Sequence, residues 1–190
     1  MKDDNSKIET PETRKGQPAD NQENNTLLAV NEKFSIDELE SAIAQCKNGT
    51  APGEDMITYE MLKHFPTNSL VIILELYNRI WETGILPQNW KHSIVLPFVK
   101  PGKDPSSPDS YRPIALTSAL CKIMERMITN RLNWFMESNK LFNPMQTGFR
   151  KNKSTLDHIM RLQSEVQNSI NHGQYTAGVF LDFSKAYDML

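Results

Sequence analysis

Only two of the 190 residues are cysteine, Cys46 and Cys121, and they lack the close spacing of a metal-binding pair. That excludes a disulfide-stapled scaffold and a structural zinc site, leaving two reduced thiols on helical segments. Long hydrophobic runs are missing as well: the longest, residues 70–76, is too short to cross a bilayer and contains Glu75. The N-terminus has no apolar core of the kind a secretory leader needs, so the expected setting is intracellular, in the cytoplasm or nucleus, with no membrane partner. An excess of positive charge is lacking too, since 21 basic and 23 acidic residues leave a net −2.

That last deficit is an average over unlike segments. Residues 1–31 carry 4 basic and 6 acidic side chains, residues 32–85 carry 4 and 9, and residues 155–190 carry 2 and 4. Residues 86–154 carry 11 and 4, a local excess of seven positive charges. Cations concentrated in this way are the electrostatic footprint expected for phosphate backbones. A solvated basic face without a partner is the alternative.

Residues 1–31 are rich in Asn, Asp, Glu, Lys, Pro and Thr and nearly devoid of bulky apolar side chains. Such a segment cannot bury enough surface to offset the entropy of ordering, and a disordered tail is expected. Order is expected from Phe34 onward. Ser35 and Glu38 form a capping box, Ile36, Leu39, Ile43 and Cys46 follow at helical spacing, and Gly49 is the expected end of that helix. A Gly/Pro loop through Ala51, Pro52, Gly53 and Asp55 then leads into a helix over about residues 58–64. A third helix over about residues 68–83 is apolar nearly all round, which predicts burial on every side, and Gly84 caps it.

The stretch 86–116 predicts an antiparallel hairpin. Ile94 to Val99 reads as a strand, Lys100-Pro101-Gly102-Lys103 breaks it, and Tyr111-Arg112-Pro113-Ile114-Ala115-Leu116 returns. A basic loop between two strands can reach over a ligand. The Arg112 guanidinium offers a fork of donors suited to phosphate oxygens, and a lysine adds a point charge. From Ser118 a long helix places Leu120, Ile123, Met124, Met127, Ile128, Leu132 and Phe135 on one apolar stripe, so its methionines are packing. Arg126 and Arg131 lie off that stripe, as solvated charge or as contacts to a phosphate backbone. After Asn139, a turn at Gly148, the cations Arg150, Lys151 and Lys153, and a helix start at Ser154 and Thr155 together fit a clamp for phosphates. A capped loop with solvated lysines is the plainer reading. That helix is expected to run to His172, with Gly173 ending it and His158 on its surface.

The last segment, residues 179–188, reads as an apolar strand delivering Asp182 to its end. A carboxylate followed by a tight turn with free N–H groups is what a Mg²⁺-dependent phosphoryl-transfer site needs, although one aspartate cannot hold two metals. Taken whole, Phe180-Leu181-Asp182-Phe183-Ser184-Lys185-Ala186-Tyr187-Asp188 resembles the first catalytic motif of reverse transcriptases, in particular those of non-LTR retrotransposons. Three further blocks resemble that family in the same order. They are Lys47, Ala51, Pro52, Gly53, Asp55 and Ile57 in a K-x-x-x-A-P-G-x-D-x-I segment, Tyr111-Arg112-Pro113-Ile114-Ala115-Leu116, and Gln146, Gly148, Phe149, Arg150, Ser154, Thr155 and Asp157 in Q-x-G-F-R-x-x-x-S-T-x-D. The family's P-K-P-G stands here as Phe98-Val99-Lys100-Pro101-Gly102, which keeps the lysine.

The resemblance, which covers roughly residues 45–190, implies an α+β right-hand polymerase: 1–31 a disordered tail, 32–85 a helical N-terminal extension, 86–173 the fingers and 174–190 the start of the palm. It implies RNA-directed DNA polymerase activity, adding dNTPs to a DNA primer 3′-hydroxyl on an RNA template. By the same resemblance Asp182 binds two Mg²⁺ ions and the Phe183 carbonyl binds one of them. Lys185 and Ala186 offer main-chain N–H groups to the triphosphate, with Arg112 and, more loosely, Lys100 as its cationic ligands. Tyr187 becomes the gate that excludes a 2′-hydroxyl by steric repulsion. Gln146, Gly148 and Arg150 face the template. The family's second carboxylate pair, in an aromatic-x-Asp-Asp hairpin, is not met within these residues, and Asp188 is too close to Asp182 to replace it. The 190-residue chain alone is therefore expected not to polymerise. Two alternatives stand beside this: a non-catalytic RNA-binding remnant of a mobile element, and an inert segment that does not fold.

Overall fold

A computed structural model describes residues 30–183, in two compact units that divide between Asn139 and Lys140. Helix α1, Ile36–Ala44, opens with the reciprocal box: Glu38 Oε2 accepts from the Ser35 N–H at 2.8 Å, and Ser35 Oγ accepts from the Glu38 N–H at 3.3 Å. The helix stops at Ala44 with Gln45 as its C-cap, well before Gly49. The reason is tertiary. Lys63 Nζ donates to the Cys46 carbonyl at 2.6 Å and to Asn48 Oδ1 at 2.6 Å, drawing these residues out of the helix. Cys46 thus lies just past the helix, while Gly49 serves a later turn at φ +72°.

Helix α2, Tyr59–Lys63, is capped by Thr58 Oγ1, which accepts from the Met61 N–H at 3.3 Å. Helix α3, Thr67–Thr83, ends on Gly84 at φ +67°, whose N–H donates to the Ile80 carbonyl at 2.8 Å. Its burial corrects the sequence expectation. Leu70, Tyr77 and Ile80 are buried, whereas Val71, Ile72 and Leu76 are exposed, because one face alone meets α1 and the start of the next long helix. That helix, α4, Ala119–Ser138, has Ser118 as its N-cap residue and buries Ile123, Met124 and Met127, so its stripe is core as expected. Tyr77, fully buried, donates its hydroxyl to the Leu120 carbonyl at 2.7 Å and so satisfies its one polar group.

Strands β1, Ile94–Val99, and β2, Tyr111–Leu116, form the expected antiparallel hairpin, with Ile94 opposite Leu116 and Phe98 opposite Arg112. No β1 residue is buried, and in β2 only Tyr111 and Leu116 are half-buried, so the hairpin is an arm with both faces open. The architecture is α+β, mostly helical with this one two-stranded sheet among the described residues.

In the second unit, helix α5, Thr155–Asn171, begins with the Asp157 carboxylate accepting from the Ser154 N–H at 2.7 Å and ends near Gly173 at φ +66°. Residues 179–183 correct the strand expected there: they are irregular chain without sheet pairing, and Val179, Phe180, Leu181 and Phe183 are exposed. A strand is defined by its partner's hydrogen bonds, and among the described residues none pairs with this run. The expected disordered tail lies almost wholly outside the described residues. No described helix is long and apolar enough to cross a membrane.

Candidate functional site

Strand pairing places the two cations expected to meet a triphosphate. Directly opposed residues of an antiparallel pair share a face, so Arg112 stands beside Phe98, with Leu96 and Ile114 next along that face. The ladder runs one step past β1: the Lys100 N–H donates to the Ser110 carbonyl at 2.7 Å. Lys100 is thereby diagonal to Arg112 at the far end of the arm, and its Nζ donates to the Asp109 carbonyl at 2.8 Å. The loop between the strands is ordered from within. Tyr111 donates its hydroxyl to the Pro105 carbonyl at 2.9 Å, and the Ser106 hydroxyl and N–H donate to Asp104 at 2.7 and 2.9 Å. Those Ser106 bonds hold the Asp104 carboxyl below the ordinary carboxylate range. The arm therefore presents Arg112 on an open face, stiffened by its own loop.

Gln146, Gly148 and Arg150 are brought together in the second unit. Gln146 Nε2 donates to the Gly148 carbonyl at 3.2 Å, and Arg150 Nη1 donates to the carbonyls of Asn143 and Gln146, each at 3.2 Å. The Arg150 guanidinium also lies 4.9 Å from the centre of the Phe142 ring. From α5, Arg161 reaches back to the Pro144 and Met145 carbonyls at 3.4 and 3.5 Å. The turn expected at Gly148 is present and spans Gly148 and Phe149. Phe149 takes the left-handed backbone at φ +59°, with its ring 93% exposed, and Asn152 follows at φ +60°. Two non-glycine residues in that region on either side of Arg150 make a tightly turned, cation-bearing loop. The Ser154 bond to Asp157 also holds the Asp157 carboxyl below its ordinary range.

Asp182 and Phe183 are exposed on this irregular segment. A carboxylate and a backbone carbonyl are hard oxygen donors of the kind magnesium takes. One carboxylate does not make a centre, however, and among the described residues no three His, Cys, Asp or Glu side chains come together to hold a metal. Lys185, Ala186 and Tyr187 lie outside the described residues.

Sequence reading missed what Arg131 does. Rather than facing solvent or phosphate, its side chain is only 11% exposed: Nε donates to Glu38 Oε1 at 2.6 Å and Nη2 to Glu38 Oε2 at 2.8 Å. Further N–H groups donate to the carbonyls of Val30, Glu32 and Lys33, and the guanidinium lies 4.2 Å from the Phe34 ring centre. The local signal was a cation flanked by Ile128 and Leu132 of the apolar stripe. Its partner, 93 residues away, left no trace in the pattern. Burial pushes the Cys121 thiol up to about 11 and the Cys46 thiol upward as well, so neither is a nucleophile at neutral pH.

Residues 99–190, from the end of β1 onward, match the reverse transcriptase (RNA-dependent DNA polymerase) family. Reverse transcriptases are nucleotidyltransferases. The particular relatives come from non-LTR mobile elements. The chain is 35% identical over 153 residues to a probable RNA-directed DNA polymerase from transposon BS of Drosophila melanogaster, which covers 80% of this chain. It is 32% identical over 154 residues to the RNA-directed DNA polymerase from mobile element jockey and 32% over 155 residues to a probable one from transposon X-element, both of D. melanogaster, covering 81% and 82% of this chain. The chain spans 17% of the length of each of these three relatives.

Proposed function

We propose that the chain is the fingers and first palm segment of an RNA-directed DNA polymerase that adds dNTPs to a DNA primer 3′-hydroxyl on an RNA template. In that reaction the primer oxygen bonds to the α-phosphorus, the bond from α-phosphorus to the bridging oxygen breaks, pyrophosphate leaves, and the hydroxyl proton passes to solvent. The observation that carries the reading is the open hairpin with Arg112 on its face and Lys100 diagonal to it, within and beside the segment similar to reverse transcriptases. Arg112 supplies a planar fork to the β- and γ-phosphate oxygens, with Lys100 adding a point charge once it leaves the Asp109 carbonyl. Gln146, Gly148 and Arg150 shape the loop proposed to touch the template. Lys185 and Ala186 are proposed as main-chain donors to the triphosphate, and Tyr187 as the sugar gate. Two Mg²⁺ ions belong to this reading, with Asp182 and the Phe183 carbonyl as ligands, and when bound they supply charge neutralisation at the transferring phosphoryl group.

The test is primer extension on an RNA template with Mg²⁺ and dNTPs, using the full polypeptide that carries this segment and, separately, residues 1–190. The full polypeptide should extend the primer and residues 1–190 should not, since Asp182 is the one carboxylate of the proposed centre that they supply. Arg112→Ala should raise the dNTP KM of the full polypeptide by about 10-fold or more, as expected from losing a charge-assisted phosphate contact. An unchanged KM would remove Arg112 from the triphosphate, and salt-dependent RNA binding without any extension by the full polypeptide would favour the non-catalytic RNA-binding reading.

A further inference from the structure

The hairpin arm has both faces open, so its direction is set at its base, where β2 ends at Leu116 and runs through Thr117 and Ser118 into α4. Against that junction lies Gly53, which is buried although it belongs to a loop. A β-carbon there would meet the Thr117 carbonyl carbon at 2.7 Å and both the Thr117 oxygen and the Ser118 nitrogen at 2.8 Å. All three are backbone atoms, so no side-chain rotation relieves the overlap. The glycine is required for space and not for conformation, because its φ is outside the left-handed region that Gly49 and Gly84 occupy. The loop is shaped locally to make this approach: Asp55 Oδ1 accepts from the Ile57 N–H at 3.1 Å, and the Met56 N–H donates to the Gly53 carbonyl at 3.1 Å.

We infer that Gly53 is a positioning residue for Arg112: the loop around Gly53 is the seat on which the base of the arm rests, and it sets where the guanidinium meets a triphosphate. The inference rests on the reading of Arg112 given above. Arg112 lies four residues from Leu116, so at about 3.3 Å per residue the arm is a lever of roughly 13 Å. Restoring ordinary van der Waals separation around an added methyl takes at least about 0.7 Å of movement at the base. Displacements of this order are costly where a bidentate contact must align, and 1 Å of misplacement can cost about 100-fold.

In the full polypeptide, Gly53→Ala is expected to raise the dNTP KM by about 10-fold, leaving kcat at saturating dNTP and the affinity for primed template within about twofold. On an Arg112→Ala background it should raise KM no further, because it acts through that side chain. Additive effects, or an unchanged KM in a folded Gly53→Ala protein, overturn the inference. If Arg112→Ala alone leaves KM unchanged, the assignment of Arg112 fails instead. Should Gly53→Ala not fold, Asp55→Ala loosens the same loop without adding an atom. It is expected to raise KM by about threefold, again with nothing further on the Arg112→Ala background, and an unchanged KM overturns the seat. Hydrogen exchange of residues 111–117 tests the seat without any activity: faster exchange is expected in either variant, and identical exchange overturns it.

Discussion

Arg131 ties the segment before α1 to the far helix of the core. One guanidinium serves a carboxylate, three carbonyls and an aromatic face, so the N-terminal strap at residues 30–34 depends on it. Asn78 holds the same strap from α3, accepting from the Phe34 N–H at 2.6 Å and donating to the Phe34 carbonyl at 3.1 Å. Removing Arg131 leaves Glu38 with the Ser35 N–H but without its cationic donor, and takes the same donor from the carbonyls of Val30, Glu32 and Lys33, so Arg131→Ala should cost about 3 kcal/mol in urea unfolding. The pairing also has a pH signature. Hydrogen bonding from Arg131, the largest cause, holds the Glu38 carboxyl below its ordinary 4.5. A depressed value in the folded state means that this stabilisation is whole above pH 4.5 and is lost as pH falls through the folded value. The stability gap between the native chain and Arg131→Ala should therefore narrow on acidification below that point. A gap that stays constant down to about pH 3 would show that Arg131 acts through the carbonyls and the Phe34 ring alone.

Elements whose signals are local were legible in the sequence. Ser35 with Glu38, Gly84, Gly173 and the Lys100-Pro101-Gly102 break each act within a few residues, and the helices and hairpin fall where those residues imply. What could not be read is set by distant partners. Lys63 shortens α1 ahead of Gly49, α1 and α4 cover only one face of α3, and the run 179–183 finds no pairing strand among the described residues. The same distinction applies to the candidate site: the register that sets Arg112 across from Phe98 follows from the hairpin, while the close approach of Gly53 to Thr117 does not. An isolated two-stranded hairpin is marginally stable in water. Amides of β1 and β2 should accordingly exchange at least about 10-fold faster than those in the middle of α4, which is locked by Ile123 and Met127. Equal protection would mean that the arm is held by contacts beyond its base. Gly84→Ala, by contrast, tests a backbone conformation alone, because its φ is +67° and nothing lies within 4 Å of an added β-carbon. A loss of about 1 kcal/mol is expected in the same urea measurement.

At the scale of the whole chain, a net charge of −2 would suggest no affinity for a polyanion, and the distribution of charge says otherwise. Eleven of the 21 basic residues fall in residues 86–154. Not all of them are available: Arg131 is committed to the core, and Arg150 to its own loop and the Phe142 ring. Lys103, Lys151 and Lys153 are exposed, and Arg112 is open on the arm. If about four cations of this stretch meet phosphates, the logarithm of the affinity for single-stranded RNA should fall with the logarithm of salt concentration at a slope of about −3. Between 50 and 200 mM salt that is roughly a 50-fold loss. Replacing Lys103, Lys151 and Lys153 together by Gln should flatten the slope by about 2 and weaken binding alike for all sequences, since phosphate contacts carry no base information. The fold should persist, because none of the three is buried. A triple variant with the native slope would place the RNA elsewhere, and a native chain with no salt-dependent binding would leave the basic stretch as a solvated face.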